Sequence, residues 1–361
     1  MPSPFTLLKT SGAARRGELR TGHGIIQTPV FMPVGTQATV KAVTPENLAD
    51  MGAAIILGNT YHLFIRPGHE LIARLGGLHQ FMNWPGSILT DSGGFQIFSL
   101  RELARITENG AAFRSHIDGA KLFLSPEKAV DVQEALGADI MMCLDTCIPF
   151  PAERQEIIAS TDLTTRWARR CRAAQTQDDR LLFGIVQGGM DAALRRQHAR
   201  DLIDIGFDGY AIGGLSVGEE KERMLAMIEA CAPVLPGDFP RYLMGVGTPE
   251  DLVEGVWRGI DMFDCVMPTR NGRNAQAFTD AGTLRLRNAQ YQRDDRPLEE
   301  GCPCPACKRS RGYLRHLFMA KEMLGPILLT IHNLTYYQRL VAGARKAIEE
   351  DRFAEFKRSK T

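Results

Sequence analysis

No stretch of this chain is apolar for long enough to cross a bilayer, and its first nine residues hold no basic segment leading into an apolar run and a cleavage site. The expectation is a soluble, cytoplasmic protein with no membrane partner. An excess of one charge is lacking too. The 43 Lys and Arg against 42 Asp and Glu leave +1, so whole-chain charge announces no polyanion. Internal repeats and low-complexity tracts are absent, which argues against solenoids and disordered arrays. Disulfide-dense scaffolds are excluded as well. Five of the eight cysteines (Cys143, Cys147, Cys171, Cys231, Cys265) are scattered and read as reduced thiols in a large chain. At 361 residues and 44% hydrophobic, the chain can bury one large core.

The charge that is present is unevenly placed. Residues 268–321 carry eleven cations and five anions, a local +6 that leaves −5 for the rest. A basic lobe on an acidic body suits a polyanion docked at one place, and equally a solvated arginine-rich surface.

Eight short apolar runs recur: 29–33, 53–57, 87–90, 138–144, 181–186, 209–212, 241–246 and 261–266. They are brief, continuously apolar and end in glycine or polar residues, as strands buried on both faces do. Helical spacing fills 125–136, 152–174, 191–205, 219–230 and 249–259. Strand–helix alternation with eight strands predicts an α/β fold, a (β/α)8 TIM barrel, with a doubly wound sheet as the alternative. Residues 5–27 read as an N-terminal β-hairpin or small sheet covering one end. Residues 274–332 read as an inserted subdomain within a single 1–361 barrel domain, followed by a last helix over 334–350.

In such a barrel the strand C-termini build the active site. Three strand ends carry aspartate: Asp91, Asp145 and Asp264. Singly, each is as well explained as a helix cap or ion-pair partner. Together at one mouth they would repel, which is costly without a functional or metal requirement. Glycosidic exchange with retention needs one carboxylate to attack the anomeric carbon and one to move protons. A third suits a guanine-like edge, since it accepts from a ring N–H and an amino group. A zinc-dependent barrel hydrolase is the rival, but only His62 lies near a strand end. The cluster Cys302-Pro-Cys304-Pro-Ala-Cys307, with His332 25 residues later, reads as a closed Cys₃His structural zinc site, with His316 as competitor for the fourth ligand.

Five motifs carry a resemblance: Asp91-Ser-Gly-Gly-Phe-Gln, Gln187-Gly-Gly, Ile212-Gly-Gly-Leu-Ser-Val-Gly-Glu219, Tyr242-Leu-Met-Gly-Val-Gly247 and Phe263-Asp-Cys-Val-Met-Pro-Thr-Arg-Asn-Gly-Arg273. Over nearly its whole length the chain resembles the queuine/tRNA-guanine transglycosylases, bacterial type. The resemblance implies exchange of the wobble guanine of tRNA for 7-aminomethyl-7-deazaguanine in queuosine biosynthesis, by double displacement through a covalent enzyme–RNA intermediate. A noncatalytic tRNA-binding subunit and a queuine-specific enzyme are the alternatives it leaves.

The resemblance also implies roles. Asp264 would be the nucleophile and Asp91 the general acid/base. Ser92, Gly93, Gly94, Asp145, Gln187, Gly213, Gly214 and Leu215 would hold the base, and Phe95 and Met244 would sandwich it. Phe95 stands where many bacterial members have tyrosine, so it keeps a stacking surface and lacks a hydroxyl. Cys147 and Val217 would narrow the pocket, or simply pack, and Glu219 with the Leu215 carbonyl would suit an aminomethyl group. Gly245, Val246, Gly247, Thr248, Pro249, Glu250 and Asp251, with Thr269, Arg270, Asn271, Gly272 and Arg273, would contact RNA. Lys308, Arg309, Arg311 and Arg315 would track its backbone. The zinc would hold the subdomain, the substrates would be the Asp, Asn, His and Tyr isoacceptors, and the protein would be a homodimer.

Overall fold

A computed structural model describes residues 3–99 and 104–360. Each of the eight apolar runs contains a parallel strand: Val30–Met32, Ile55–Gly58, Ser87–Thr90, Ile140–Met142, Leu181–Val186, Gly209–Ile212, Arg241–Leu243 and Met262–Asp264. Neighbours in sequence are neighbours in the sheet. Closure happens at Pro33. The first strand breaks there, because proline has no N–H to give a ladder. Val30–Met32 pairs with Met262–Asp264, while the continuation Val34–Gly35 pairs with Ile55–Gly58. The Pro33 carbonyl still accepts from Leu57 N at 2.9 Å. One interrupted strand thus joins both edges, and the sheet is a barrel rather than a doubly wound layer.

Side chains alternate into two cores. Met32, Leu57, Leu89, Ile140, Met142, Phe183, Ile185 and Tyr242 fill the barrel interior, and a larger apolar layer lies between strands and helices. Phe5, Leu19 and Ile26 join the interior cluster from outside the barrel. They come from the N-terminal segment, which forms a three-stranded antiparallel sheet, Phe5–Ser11, Ala14–Thr21 and Gly24–Thr28. This sheet plugs the end where the strands begin. Arg15 pairs with buried Asp261 at 3.1 Å, and Thr21 Oγ1 meets Ser87 Oγ at 2.7 Å. The opposite mouth stays open for chemistry.

The five expected helices form as Pro126–Leu136, Arg154–Ala174, Ala192–Ile205, Lys221–Cys231 and Pro249–Trp257. Ser125 caps the first through Lys128 N, with proline in the first turn. Of the elements that the sequence pattern did not show, two have a clear physical reason. One is a small antiparallel sheet, Ala104–Thr107, Gly110–Arg114 and Lys121–Leu124, which buries Ala111, Phe113 and Leu124 but also carries exposed Ile106 and Phe123, so its short strands show no clean polar–apolar period. The other is the start of the last long helix, which runs Leu324–Glu349, ten residues earlier than its periodicity predicts. From Leu328 to Gln338 every residue is buried, so no polar stripe marks the helix there.

Candidate active site

Asp91 sits just past Ser87–Thr90, partly exposed in the open mouth. Its Oδ1 accepts from the backbone N–H of Thr60 at 2.9 Å and of Gly93 at 3.2 Å. Its Oδ2 accepts from the Asn59 side chain and, at 3.4 Å, from Gln96 Nε2. Thr60 Oγ1 also donates to the Asp91 carbonyl. Burial nevertheless pushes the carboxyl up to about 7 against those donors, and the negative charges of Asp264 and Asp145 add to the rise. Asn59 and Thr60, which hold the Asp91 carboxylate, were not singled out in the sequence. They follow the second strand directly, so the same inspection of strand ends that found Asp91 could have found them.

Asp145 lies beyond Ile140–Met142, 6% exposed. Ser92 Oγ donates to its Oδ1 at 2.9 Å and Gln187 Nε2 to its Oδ2 at 2.7 Å. Cys147 Sγ lies 3.6 Å from that second oxygen and 3.6 Å from Gln187 Nε2. Burial raises the Asp145 carboxyl, with these donors opposing. Gly94 is required by close approach, since a Cβ there would stand 2.6 Å from the Asp145 carbonyl oxygen. Gln187 is fixed from behind, its backbone N–H donating to His198 Nδ1 at 2.8 Å. Burial lowers that imidazole to about 4, so it accepts as a neutral ring at working pH.

Asp264 ends the last strand. Its Oδ1 accepts from the Tyr242 hydroxyl at 2.6 Å and from Gly245 N at 2.7 Å. Burial raises this carboxyl, and the two donors hold it back. Tyr242 is fully buried in the barrel interior and was visible in the sequence only as part of a motif.

The glycine loop after Gly209–Ile212 brings Gly213, Gly214 and Leu215 to the same mouth. A Cβ on Gly214 would meet Gln187 Oε1 at 2.3 Å. Val217 N donates to Glu219 Oε2 at 2.8 Å, and Ser216 N donates to its other oxygen. The Leu215–Ser216 peptide is therefore turned with its N–H toward Glu219, and its carbonyl faces the other way. Phe95 is 51% exposed, and Met244 is half-buried after the seventh strand.

The remaining candidates divide. Arg270 and Arg273 lie on the short helix Met267–Arg273 that follows Asp264. Arg270 is exposed, and Arg273 Nη1 has no hydrogen-bond partner among the described residues. Thr269, Asn271 and Gly272 are on the same helix, with Gly272 packed on Thr330 backbone. Between Gly245 and the next helix, Val246 and Gly247 are buried. Thr248 and Asp251 form a reciprocal capping box around Pro249, and Asp251 also pairs with Lys221 at 2.9 Å. Glu250 is exposed. Among the four cations near the cysteines, Arg311 turns inward, donating to the Pro297 and Leu298 carbonyls and to Asp294.

Cys302, Cys304, Cys307 and His332 form one cluster, and their ligand atoms all lie within 4.8 Å of one another. His332 Nδ1 is 3.9, 3.5 and 3.3 Å from the three sulfurs. Tetrahedral zinc bonds to S and N imply about 3.6 Å between such atoms. His332 Nε2 donates to the Phe278 carbonyl at 2.8 Å, which leaves Nδ1 free to ligate. The residues thus fit a closed metal site. His316 is exposed on the helix Arg311–Met319 and takes no part. A second trio, His23, His79 and Asp139, lies at the plugged end. Its imidazoles stack at 3.6 Å and 11°, and each holds its own oxygen of Asp139.

A closed barrel with three carboxylates at its strand ends, glycine-lined gaps between them and a separate Cys₃His cluster defines a barrel enzyme class. The family model described as Queuine tRNA-ribosyltransferase matches residues 10–361, and the chain belongs to that family. It is 58% identical over 359 residues to the queuine tRNA-ribosyltransferase of Solidesulfovibrio magneticus, covering 99% of this chain and 96% of that protein. It is 57% identical to the one from Symbiobacterium thermophilum, covering 97% and 88%, and 55% identical to that of Nitratidesulfovibrio vulgaris, covering 99% and 96%.

Proposed function

We propose that the protein is a tRNA-guanine transglycosylase that replaces a wobble guanine by 7-aminomethyl-7-deazaguanine. The observation that carries the reading is the division among three neighbouring carboxylates: one raised to about 7, one gripped by a tyrosine and an amide, one paired with a glutamine. An Asp264 oxygen attacks the ribose anomeric carbon, and the C–N bond breaks with its electron pair going to the base. Asp91 gives its proton to the departing guanine. The incoming base returns a ring proton to Asp91 and displaces Asp264 from the sugar. Asp145 accepts from the ring N–H and amino group of either base, and Gln187 donates to its carbonyl. Phe95 and Met244 supply the stacking faces.

Cys147, close against Asp145 and Gln187, supports the small aminomethyl base over queuine, and the outward Leu215 carbonyl offers its ammonium an acceptor. Retention of all three aspartates disfavours a noncatalytic subunit. The Cys₃His cluster holds Zn²⁺, which with four protein ligands ties residues 274–332 to the long helix and has no open position for substrate. The same reading takes 1–361 as one barrel domain, a homodimer, acting in the cytoplasm on Asp, Asn, His and Tyr isoacceptors.

The test uses tRNA labelled in its wobble guanine. Release that requires added 7-aminomethyl-7-deazaguanine, and falls about 10³-fold or more in Asp264→Asn, supports the reading. Tight tRNA binding without release by the unaltered protein overturns it. Release driven by queuine alone assigns the other base.

A further inference from the structure

Arg195 is 0% exposed, yet no ion pair joins it to a carboxylate among the described residues. A guanidinium buried this way is costly unless its donors are used. They are used on backbone. Nε donates to the Gly189 carbonyl at 2.6 Å, Nη1 to Gly213 at 3.0 Å and Nη2 to Gly214 at 3.2 Å. Those carbonyls belong to the two loops that carry Gln187 and Leu215.

A trans peptide sets its C=O and N–H on opposite sides. With the Gly213 and Gly214 carbonyls turned to Arg195, the N–H groups of Gly214 and Leu215 face away from it. Neither amide has a hydrogen-bond partner among the described residues. Gly214 sits at φ 62°, the left-handed conformation that lets successive amides share a side, and it abuts the Gln187 carboxamide. The result is a pair of idle donors beside the Asp145–Gln187 edge, with a fixed cation behind them.

We infer that Arg195 is a positioning residue that aims the Gly214 and Leu215 amides at the carbonyl oxygen of the bound base. Its charge, relayed through two peptide dipoles, favours the negative charge that reaches that oxygen as the C–N bond breaks and the electron pair enters the purine ring. The guanidinium fork is needed because one planar group must satisfy three carbonyls, which an ammonium cannot do in the same geometry. The inference rests on the proposed base-exchange reading.

The test compares guanine with 6-thioguanine as inhibitors of exchange. Both present the same N–H and amino edge to Asp145, but sulfur is a weak acceptor. The unaltered protein should prefer guanine. In Arg195→Lys that preference should shrink by about tenfold or more, with kcat falling further than KM, because the amides act most on the departing base. Equal weakening of both inhibitors would mean general collapse of the pocket and overturn the inference, as would an unchanged preference. Should Arg195→Lys not fold, hydrogen exchange in the unaltered protein decides. Guanine should protect the Gly214 and Leu215 amides, and lack of protection overturns the inference. If the unaltered protein exchanges no base and binds no guanine, it is the functional reading that fails.

Discussion

In the proposed reaction the carboxyl that hands a proton to the departing base must still carry it near neutral pH, and burial gives Asp91 that property. Its folded value of about 7 lies above the ordinary carboxylate value, so the protonated form persists below pH 7 and is lost above it. Single-turnover base release should therefore decline as pH rises through about 7, and Asp91→Asn should remove this limb. As the proposed nucleophile, Asp264 must be ionised to attack. Tyr242→Phe withdraws a donor that favours its charged form, so the Asp264 carboxyl should move further up. The acid limb of the same profile should shift to higher pH, and the plateau rate should fall about 10²-fold. An unmoved acid limb would show that Tyr242 only fills the barrel.

At the scale of elements, the long helix Leu324–Glu349 matters most. It presents His332 to the cysteines, Asn333 to the Pro268 and Gln276 carbonyls and to Phe278 N, and Tyr337 to the Gly247 carbonyl. Metal site, arginine helix and the loop after Met244 are thus braced by one rod. Metal analysis should find one zinc per chain. Stripping it with a chelator should lower Tm and loosen this region before the barrel melts. The loss should reach about 4 kcal/mol relative to free zinc a thousandfold above its Kd. Full activity in a metal-free, equally stable protein would contradict the structural role.

At the scale of the molecule, charge is segregated along the sequence, but the fold spends much of it internally. Arg296 and Arg311 close on Asp294, and Arg315 on the Asn288 carbonyl. Arg270 and Arg273, beside the open mouth, form no ion pair among the described residues, and a polyanion docked there would meet them first. Arg270→Ala and Arg273→Ala should each weaken tRNA binding and reduce the slope of log K against log salt by about 0.7–0.9. A slope equal to that of the unaltered protein would place the phosphate track elsewhere.

How much of this was legible in the sequence depends on whether the signal was local. Eight buried strands announce themselves because a strand covered on both faces needs an unbroken apolar run, and Cys₃His ligands announce themselves through thiol spacing. Asp91, Asp145 and Asp264 were legible because the first two directly follow such runs and the third interrupts one. The small three-stranded sheet and the early start of the last helix were not: exposed Ile106 and Phe123 blur the period of the first, and burial all round from Leu328 to Gln338 removes it from the second. Closure of the barrel at Pro33 was decided only in three dimensions, because one of its two pairings, Val30–Met32 with Met262–Asp264, joins residues more than 200 positions apart. The same holds for the raised carboxyl of Asp91, for Tyr242 on Asp264 and for Arg195 behind the glycine loop. Burial and hydrogen bonding set these properties, and they exist only once distant strand ends share one mouth.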